Sequence, residues 1–564
     1  MPAPAQLPYA VLAQTHPEYN HDLQEELEGL YEGGYEMREH ASRYLPKIVG
    51  ETQQRYDERC RATAYMPYFG HIVDHFAAAV FARPMHVRPD EDDVTADIDE
   101  DFYEAFQTDA DLAQATVADI SKRTLTDALV YKRGLVVVDF PPSDAPAASR
   151  LEEERTGSAR AYVDTLCPEH LINWEVESKV RRRAKLDGGS VEFDVGWFRF
   201  AVIHTQAIDQ ASPFSLRDTL KDTWKVWRRD DETGLVVWER YEYTRKATAN
   251  GAFQPIPRQA QVALVAQGVT TFQVVPIVEL CVPNGLWIGN KIGPIVTEHF
   301  QRRSLINSNE NRALGTIPYV KLGTEIPEFQ GDVPALVQQN PHRGNEMRAD
   351  LEARGYVVLG SGDDLGYATP SGEYAKQAED RLSKLLDEIY RVSHLMAASV
   401  SSTANSVGRS GASKAEDRHA TGIVLSALGA IVREFVRRLY ETIADARGEV
   451  VSWVVSGLDS YELTDRAETL DEAKLVDDLG ITSATFKTAY KSELATRLLP
   501  LVSPEEATTI RDEIKAAEEA KAKRPAPPMP GSLVNPAQQQ PTQNEDPSQQ
   551  KSATQEPSNV PERD

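Results

Sequence analysis

Cysteine is nearly absent: Cys60, Cys167 and Cys281 are the only three in 564 residues, each more than a hundred positions from the next. An odd, sparse set offers neither a disulfide framework nor metal-ligand spacing, which fits folding in a reducing compartment. Long apolar runs are missing as well. No stretch approaches the roughly 18 uninterrupted apolar residues of a bilayer span. The best candidates, around Leu135–Val138 and Ile423–Val432, are of core length, so no membrane segment is expected. Met1–Leu12 is rich in Pro and Ala and has no basic residue ahead of an apolar stretch, so no secretory signal is expected either. Positive charge is in deficit. Against 87 Asp and Glu stand 61 Lys and Arg, a formal charge of -26. That excludes a surface that grips nucleic acid all over, which needs net positive charge. It leaves room for a local basic patch, or for a path along which DNA passes without being held.

Catalytic motifs are scarce too. No Gly-x-Ser-x-Gly elbow occurs, and Ser361 merely lies between two adjacent glycines. Gly360–Gly366 carries Asp363 and Asp364 where a phosphate would be repelled, and no Gly-Lys-Ser/Thr follows, so it reads as a turn. His71 and His75 share a helix face, but Asp74 between them is not placed as a metallohydrolase glutamate and no third ligand is marked. Half-buried histidines beside Tyr68 and Phe76 are the plainer reading. His204, His299, His342 and His394 have no telling neighbours. The pattern predicts no catalytic residue, no metal and no cofactor.

What the chain does have is a clear order of periodicities. His16–Ala82 reads mainly helical, with one helix predicted from Gln53 to about Phe81. Asp90–Asp111 holds eleven acidic residues and no Lys or Arg, a solvated stretch with Phe102, Tyr103 and Phe106 as its anchors. Leu112–Tyr131 returns to helix, and Gly134 is read as the turn into a strand, Leu135–Phe140. From Ala161 to Pro283 the period is two, with Val191, Phe193, Val195, Trp197 and Arg199 alternating and a hairpin closed by Asp230–Gly234. Five of the seven tryptophans fall there. Gly289–Leu314 is a helix with Ile292, Ile295, Val296, Phe300 and Ile306 on one face and Arg302, Arg303 and Arg312 elsewhere. A short strand is predicted at Tyr356–Leu359. Ala375, Ala378, Leu382, Leu385, Ile389, Val392 and Met396 then lay a stripe along a helix of about 25 residues. Ser399–Ser413, rich in Ser and Gly, is irregular, and a long helix follows over Lys414–Ala446. Val450–Val455 is a strand. Helices are predicted over Thr464–Leu479, Ser483–Leu499 and from Ser503 toward Lys523. Residues 524–564 hold nine Pro and seven Gln with few large apolar groups, a composition that predicts disorder.

Two ordered sets of residues resemble a known family. The first runs His16-Pro17-Glu18-Tyr19, Leu30-Tyr31-Glu32-Gly33-Gly34, Arg43-Tyr44-Leu45-Pro46-Lys47, then Tyr56, Arg59, Arg61, Ala62 and Tyr65, and Phe81-Ala82-Arg83-Pro84. The second is the order from Pro283 through the Asn- and Arg-rich helix, Gly355–Pro370, the striped helix, and Glu416–Leu439. Together they resemble a branch of the tailed-bacteriophage portal proteins over roughly residues 16–510.

The resemblance implies an α+β chain with wing, two-helix stem, clip insertion and C-terminal helical crown. It implies a flexible N-terminus over 1–15, wing over 16–160 and 161–283, and stem-side helices over 284–314 and 371–398. The clip-like insertion would be 315–370, the tunnel-like loop 399–413, a wing helix and strand 414–463, and the crown 464–523. A disordered tail, 524–564, would close the chain. It further implies a homo-oligomer of twelve subunits at one capsid vertex. Double-stranded DNA would pass through its channel, and the major capsid protein, the terminase large subunit and a head-tail adaptor protein would be its partners. The location would be the virion, and the host cytoplasm during assembly. Arg302, Arg303, Arg312, Arg409 and Lys414 would lie near the channel or DNA. Leu382, Leu385, Ile389, Val392 and Met396 would pack subunit helices. The alternatives are a non-portal ring adaptor or minor structural protein of the virion, and a hydrolase.

Overall fold

A computed structural model describes residues 6–90, 98–140, 160–186, 189–208, 219–248, 252–314, 317–321, 364–368, 372–393, 411–458, 461, 473–476, 478–479, 483–498 and 504–522. The described chain is α+β, and its sheets are antiparallel. It divides into two units, Met1–Thr469 and Leu470–Asp564.

In the first unit, strand β1 (Gln6–Pro8) and helix α1 (Tyr9–Leu12) precede a helical layer: α2 (His21–Glu32), α3 (Gly34–Glu39), α4 (Ala41–Tyr44), α5 (Gln53–Ala62) and α6 (Tyr68–Val80). The residues before His16, expected to be flexible, are structured from Gln6 onward. Tyr9 meets Trp224 edge-on and Leu12 is buried, so the segment closes a core. The single helix expected over Gln53–Phe81 is two. Thr63–Pro67 separates them, and Pro67, restricted in φ and lacking an N–H, stands just before α6. Strand β2 (His86–Pro89) leads to α7 (Glu100–Thr108), where the acidic stretch is held down by buried Phe102, Tyr103 and Phe106.

Helix α8 (Val117–Tyr131) starts five residues later than the periodicity predicts. Thr116 and Asp119 form a reciprocal capping box there, and Leu112 and Gln114 have positive φ in the loop before it. The turn into β3 (Arg133–Asp139) is Lys132 in the left-handed region, not Gly134. Gly134 is needed for a different reason: a Cβ there would stand 2.0 Å from the carbonyl oxygen of Thr124.

Strands β4 (Tyr162–Leu166), β5 (Leu171–Leu186), β6 (Gly189–Ile208), β7 (Thr219–Arg229), β8 (Val236–Lys246), β9 (Gln261–Val269) and β10 (Ile277–Cys281) follow. Six strands form one sheet in the order β1-β9-β8-β7-β6-β5, and three form another, β10-β3-β4. The β7–β8 hairpin is as predicted, with Trp227 opposite Trp238. Among the described residues, both faces of the six-stranded sheet carry buried side chains. Ala201, Ile203 and Trp227 join the main core, while Val202, Trp224, Val226, Tyr241 and Val262 build a smaller one with Leu12. This changes the expected alternation on β6. Phe198 is the buried side chain, and Trp197 lies instead under the guanidinium of Arg438, 4.6 Å from its ring centre.

Helix α9 (Ile288–Leu314), strands β11 (Ile317–Lys321) and β12 (Asp364–Ala368), helices α10 (Gly372–Val392) and α11 (Gly411–Arg447), and β13 (Trp453–Ser456) complete the unit. Strand β13 pairs with β2. The end of the turn expected at Gly360–Gly366 is strand from Asp364 on. Tyr356–Leu359 lies outside the described residues. Helix α11 starts at Gly411, so Gly411–Ser413, expected to be irregular, are its first turn. Its residues 419–447 are long and apolar enough to cross a membrane, but Leu428, Val432, Phe435, Leu439 and Ile443 are buried in the main core, which is the reason for their hydropathy. The second unit contains helices α12 (Ala484–Leu498) and α13 (Pro504–Ala522), which pack together. Residues 524–564, expected to be disordered, lie outside the described residues.

Candidate functional site: a helix pair with an insertion, and a polar groove

Helix α9 is anchored at its start by Trp287, whose indole N–H donates to the carbonyl of Val130 (2.9 Å). Gly289 permits this approach, since a Cβ there would stand 2.4 Å from the same oxygen. Ile288, Ile292, Val296, Phe300 and Ser304 are buried at steps of four along one ridge. The ridge therefore ends on a serine, where the sequence pointed to Ile306.

Ser304 explains itself through the N-terminal layer. Arg59, buried in α5, donates to Glu51 through Nε and Nη2 (both 2.9 Å), to the carbonyl of Pro46 (2.8 Å), and through Nη1 to Ser304 Oγ (3.0 Å). The Thr63 hydroxyl donates to the carbonyl of Arg59, and stands 3.2 Å from the Ser304 hydroxyl. The Glu51 carboxylate holds the Arg59 proton more firmly than usual. The second half of α9 is thus fixed by a buried, fully directed charge pair rather than by apolar contact.

Helix α10 packs against α9. Its stripe is buried only toward the end: Leu385 and Ile389 are covered, while Ala378 and Leu382 stay partly open. Val392 is partly buried, and Met396 lies outside the described residues. Between the two helices in sequence, β11 and β12 pair antiparallel from Ile317 opposite Ala368 to Lys321 opposite Asp364. In sequence, this ladder lies between the two packed helices.

Arg302 is half-exposed and bridges to Glu298 one turn back (2.7 Å). Arg303 has a buried Nε without a hydrogen-bond partner, and its charge adds to burial in lowering the pKa of His299. Arg312 belongs to α9 and Lys414 to the first turn of α11, with side chains outside the described residues, as is Arg409. Among the enzyme candidates, His71 and His75 are exposed on α6. Burial and the neighbouring His71 lower the pKa of His75, and Asp74 accepts from the Tyr31 hydroxyl (2.9 Å). No three His, Cys, Asp or Glu among the described residues are grouped to hold a metal. Ser361 lies outside the described residues.

One feature was not singled out by sequence. A half-open groove of about 800 Å³ runs between the loop before α2, the α8–β3 corner and the end of β10. Pro17, Tyr19, Trp174, Pro283 and Trp287 give it flat walls. The guanidinium of Arg133 lies 4.1 Å from the centre of the Trp174 ring, and His16 stacks on the same indole at 3.9 Å. Arg133 Nη2 pairs with Glu279 Oε1 at 2.9 Å, while Arg133 Nη1 and Gln24 Oε1 are buried without a hydrogen bond. The Tyr19 hydroxyl donates to the Glu169 carbonyl (3.0 Å), and burial lifts its pKa to about 12. The one sequence sign of this groove was the His-Pro-x-Tyr order at residues 16–19.

No protein-family model matches the chain, and no curated protein matches it. Solved structures do. A chain in the neck of an empty gene transfer agent particle, computed with sixfold symmetry, is 11% identical with a TM-score of 0.32, over 79% of this chain and 95% of that one. A chain in the virion of the native particle gives 11% and 0.31, over 81% and 96%. The neck of the native particle, computed with twelvefold symmetry, gives 10% and 0.32, over 76% and 89%. Likenesses this distant assign no function.

Proposed function

We propose that this chain is the subunit of a ring-shaped portal at one capsid vertex, through which double-stranded DNA is packaged and released. The observation that carries the reading is the run α9, β11, an insertion at the end of a ladder, β12, α10, with the two helices packed on each other. A stem of two helices with a clip between them has this order, and the ordered residues from 16 to 510 resemble the same family. In this reading 161–283 is wing, 315–370 clip and 464–523 crown, and the terminase large subunit, a head-tail adaptor protein and the major capsid protein dock on the ring. The open half of the α10 stripe, at Ala378 and Leu382, then meets a neighbouring subunit. The charge of -26 per chain keeps a polyanion moving, because few fixed cations are available to stall it.

Electron cryomicroscopy of the purified full chain tests this directly. Closed rings of about 750 kDa are expected, twelve chains of 62.7 kDa each, with α9 and α10 nearest the symmetry axis. A monomer across micromolar concentrations and salt conditions would count against the ring. Rings with both helices far from the axis would point to an adaptor or minor structural protein instead.

A further inference from the structure

Between α4 and α5 the chain turns at Pro46–Glu51, and the turn is held from inside. Glu51 accepts from the Ile48 N–H through Oε2 (3.1 Å), and its own N–H donates to the Ile48 carbonyl (3.0 Å). Arg59, the buried partner of Glu51, donates to the carbonyl of Pro46 (2.8 Å). Gly50, at a φ of 83°, makes the corner. A buried charge pair is a costly way to fix a surface turn. What it holds out is apolar: Val49 is 102% exposed and Ile48 45%. Turn tips ordinarily take Gly, Asn, Asp or Ser. Two β-branched side chains, stiff about χ1, lose little freedom when they are covered.

The same arginine ties the turn to α9 at Ser304 (3.0 Å), which sets its level along that helix. The antiparallel β11–β12 ladder sends α10 back along α9. Tyr68 meets His299 of α9 edge-on at 5.3 Å, and burial, followed by the nearby Tyr68, raises the pKa of Tyr390 on α10. His299 and Tyr390 therefore share a level. Counting about 1.5 Å per residue in opposite directions, Ser304 comes level with Leu385, and Leu382 lies about 4.5 Å further on. In the ring proposed above, on which this step rests, rotation about the axis preserves height. Only surfaces at one level can meet, and the apolar turn and the open part of the α10 stripe are at one level. We infer that Ile48 and Val49 of one copy dock against Ala378 and Leu382 of the next. The contact is head-to-tail, a different surface on each side, which is the kind that closes a cyclic ring.

Oxidative crosslinking of the full chain carrying both Val49→Cys and Leu382→Cys tests it, with copper phenanthroline as oxidant and a non-reducing gel as readout. A ladder of covalent oligomers is expected, because each copy offers one half of the contact to each neighbour. A mixture of the two single variants should give covalent dimers only. The unaltered chain, whose Cys60, Cys167 and Cys281 are free thiols, is the control and should give no ladder. Ile48→Asp with Val49→Asp should keep the circular dichroism spectrum and raise the concentration at which rings dissociate at least tenfold, as read by analytical ultracentrifugation. If that variant fails to fold, the crosslinking carries the test. Rings without a ladder, or rings of undiminished stability from the folded Asp variant, would overturn the contact while the ring stands, and would leave the turn to a different protein. Val49→Cys alone crosslinking as strongly as the mixture would also overturn it, in favour of a twofold contact. An unaltered chain that stays monomeric would overturn the ring and this contact with it.

Discussion

At the scale of single residues, the polar groups that matter are those the core has taken in. Arg59 and Glu51 are almost wholly buried, with side chains 2% and 5% exposed. Neutralising one member strands the other charge away from water. Glu51→Gln is therefore expected to cost about 3–5 kcal/mol, read as a lowered midpoint in urea unfolding. Arg59→Met together with Glu51→Leu should recover part of that loss, because the desolvation penalty disappears with both charges. Asp127 behaves in the opposite sense. Burial lifts its pKa from 3.8 to about 7, so the folded state prefers the protonated acid. The group favours folding fully below its unfolded pKa, and that contribution falls away as pH rises from about 4 to 7. Asp127→Asn should accordingly stabilise the chain at pH 8, on the order of 3 kcal/mol, and change little at pH 4. Chemical denaturation at the two values checks it, and equal effects at both would contradict the assignment.

At the scale of elements, burial separates two parts of one apolar stripe. Ile389 on α10 is fully covered, so Ile389→Ala should lower stability by about 2–5 kcal/mol in the isolated chain. Leu382, two steps up the same stripe, is only partly covered. Leu382→Ser is expected to leave the monomer's melting nearly unchanged and to weaken assembly, which analytical ultracentrifugation reads as dissociation at a higher protein concentration. This contrast also marks how far the sequence could be read. Spacing alone located α9, α10, α11 and the β7–β8 hairpin, because each carries an uninterrupted period over many residues. It joined α5 to α6, although Thr63–Pro67 separates them and Pro67 stands just before α6. It missed Ser304 and Arg133 because their role lies in groups hundreds of positions away, or in an indole and a carboxylate brought in by other strands. Local periodicity holds no information about such contacts. The His-Pro-x-Tyr order was visible, but its use as a groove wall needed β5 and β10 in place.

At the scale of the whole molecule, the proposed ring sets a demand that the charge balance meets. A protein that holds DNA fixes many phosphates, and its affinity falls steeply with salt. A conduit must do the reverse, touching the duplex weakly and at few points. Each chain is 26 charges to the acidic side, and Arg302, one of the candidate cations, is already occupied by Glu298. Assembled rings are therefore expected to bind a 30-base-pair duplex weakly, with Kd above about 10 μM at physiological salt, and with a shallow salt dependence. Two of the other candidates, Arg409 and Lys414, flank the start of α11 in sequence. Replacing both with Ser should leave ring mass unchanged while altering the amount of DNA packaged or retained by particles. Sub-micromolar binding with a steep salt slope would instead mean that the ring grips its DNA, and a conduit of this kind could not work by letting it slide.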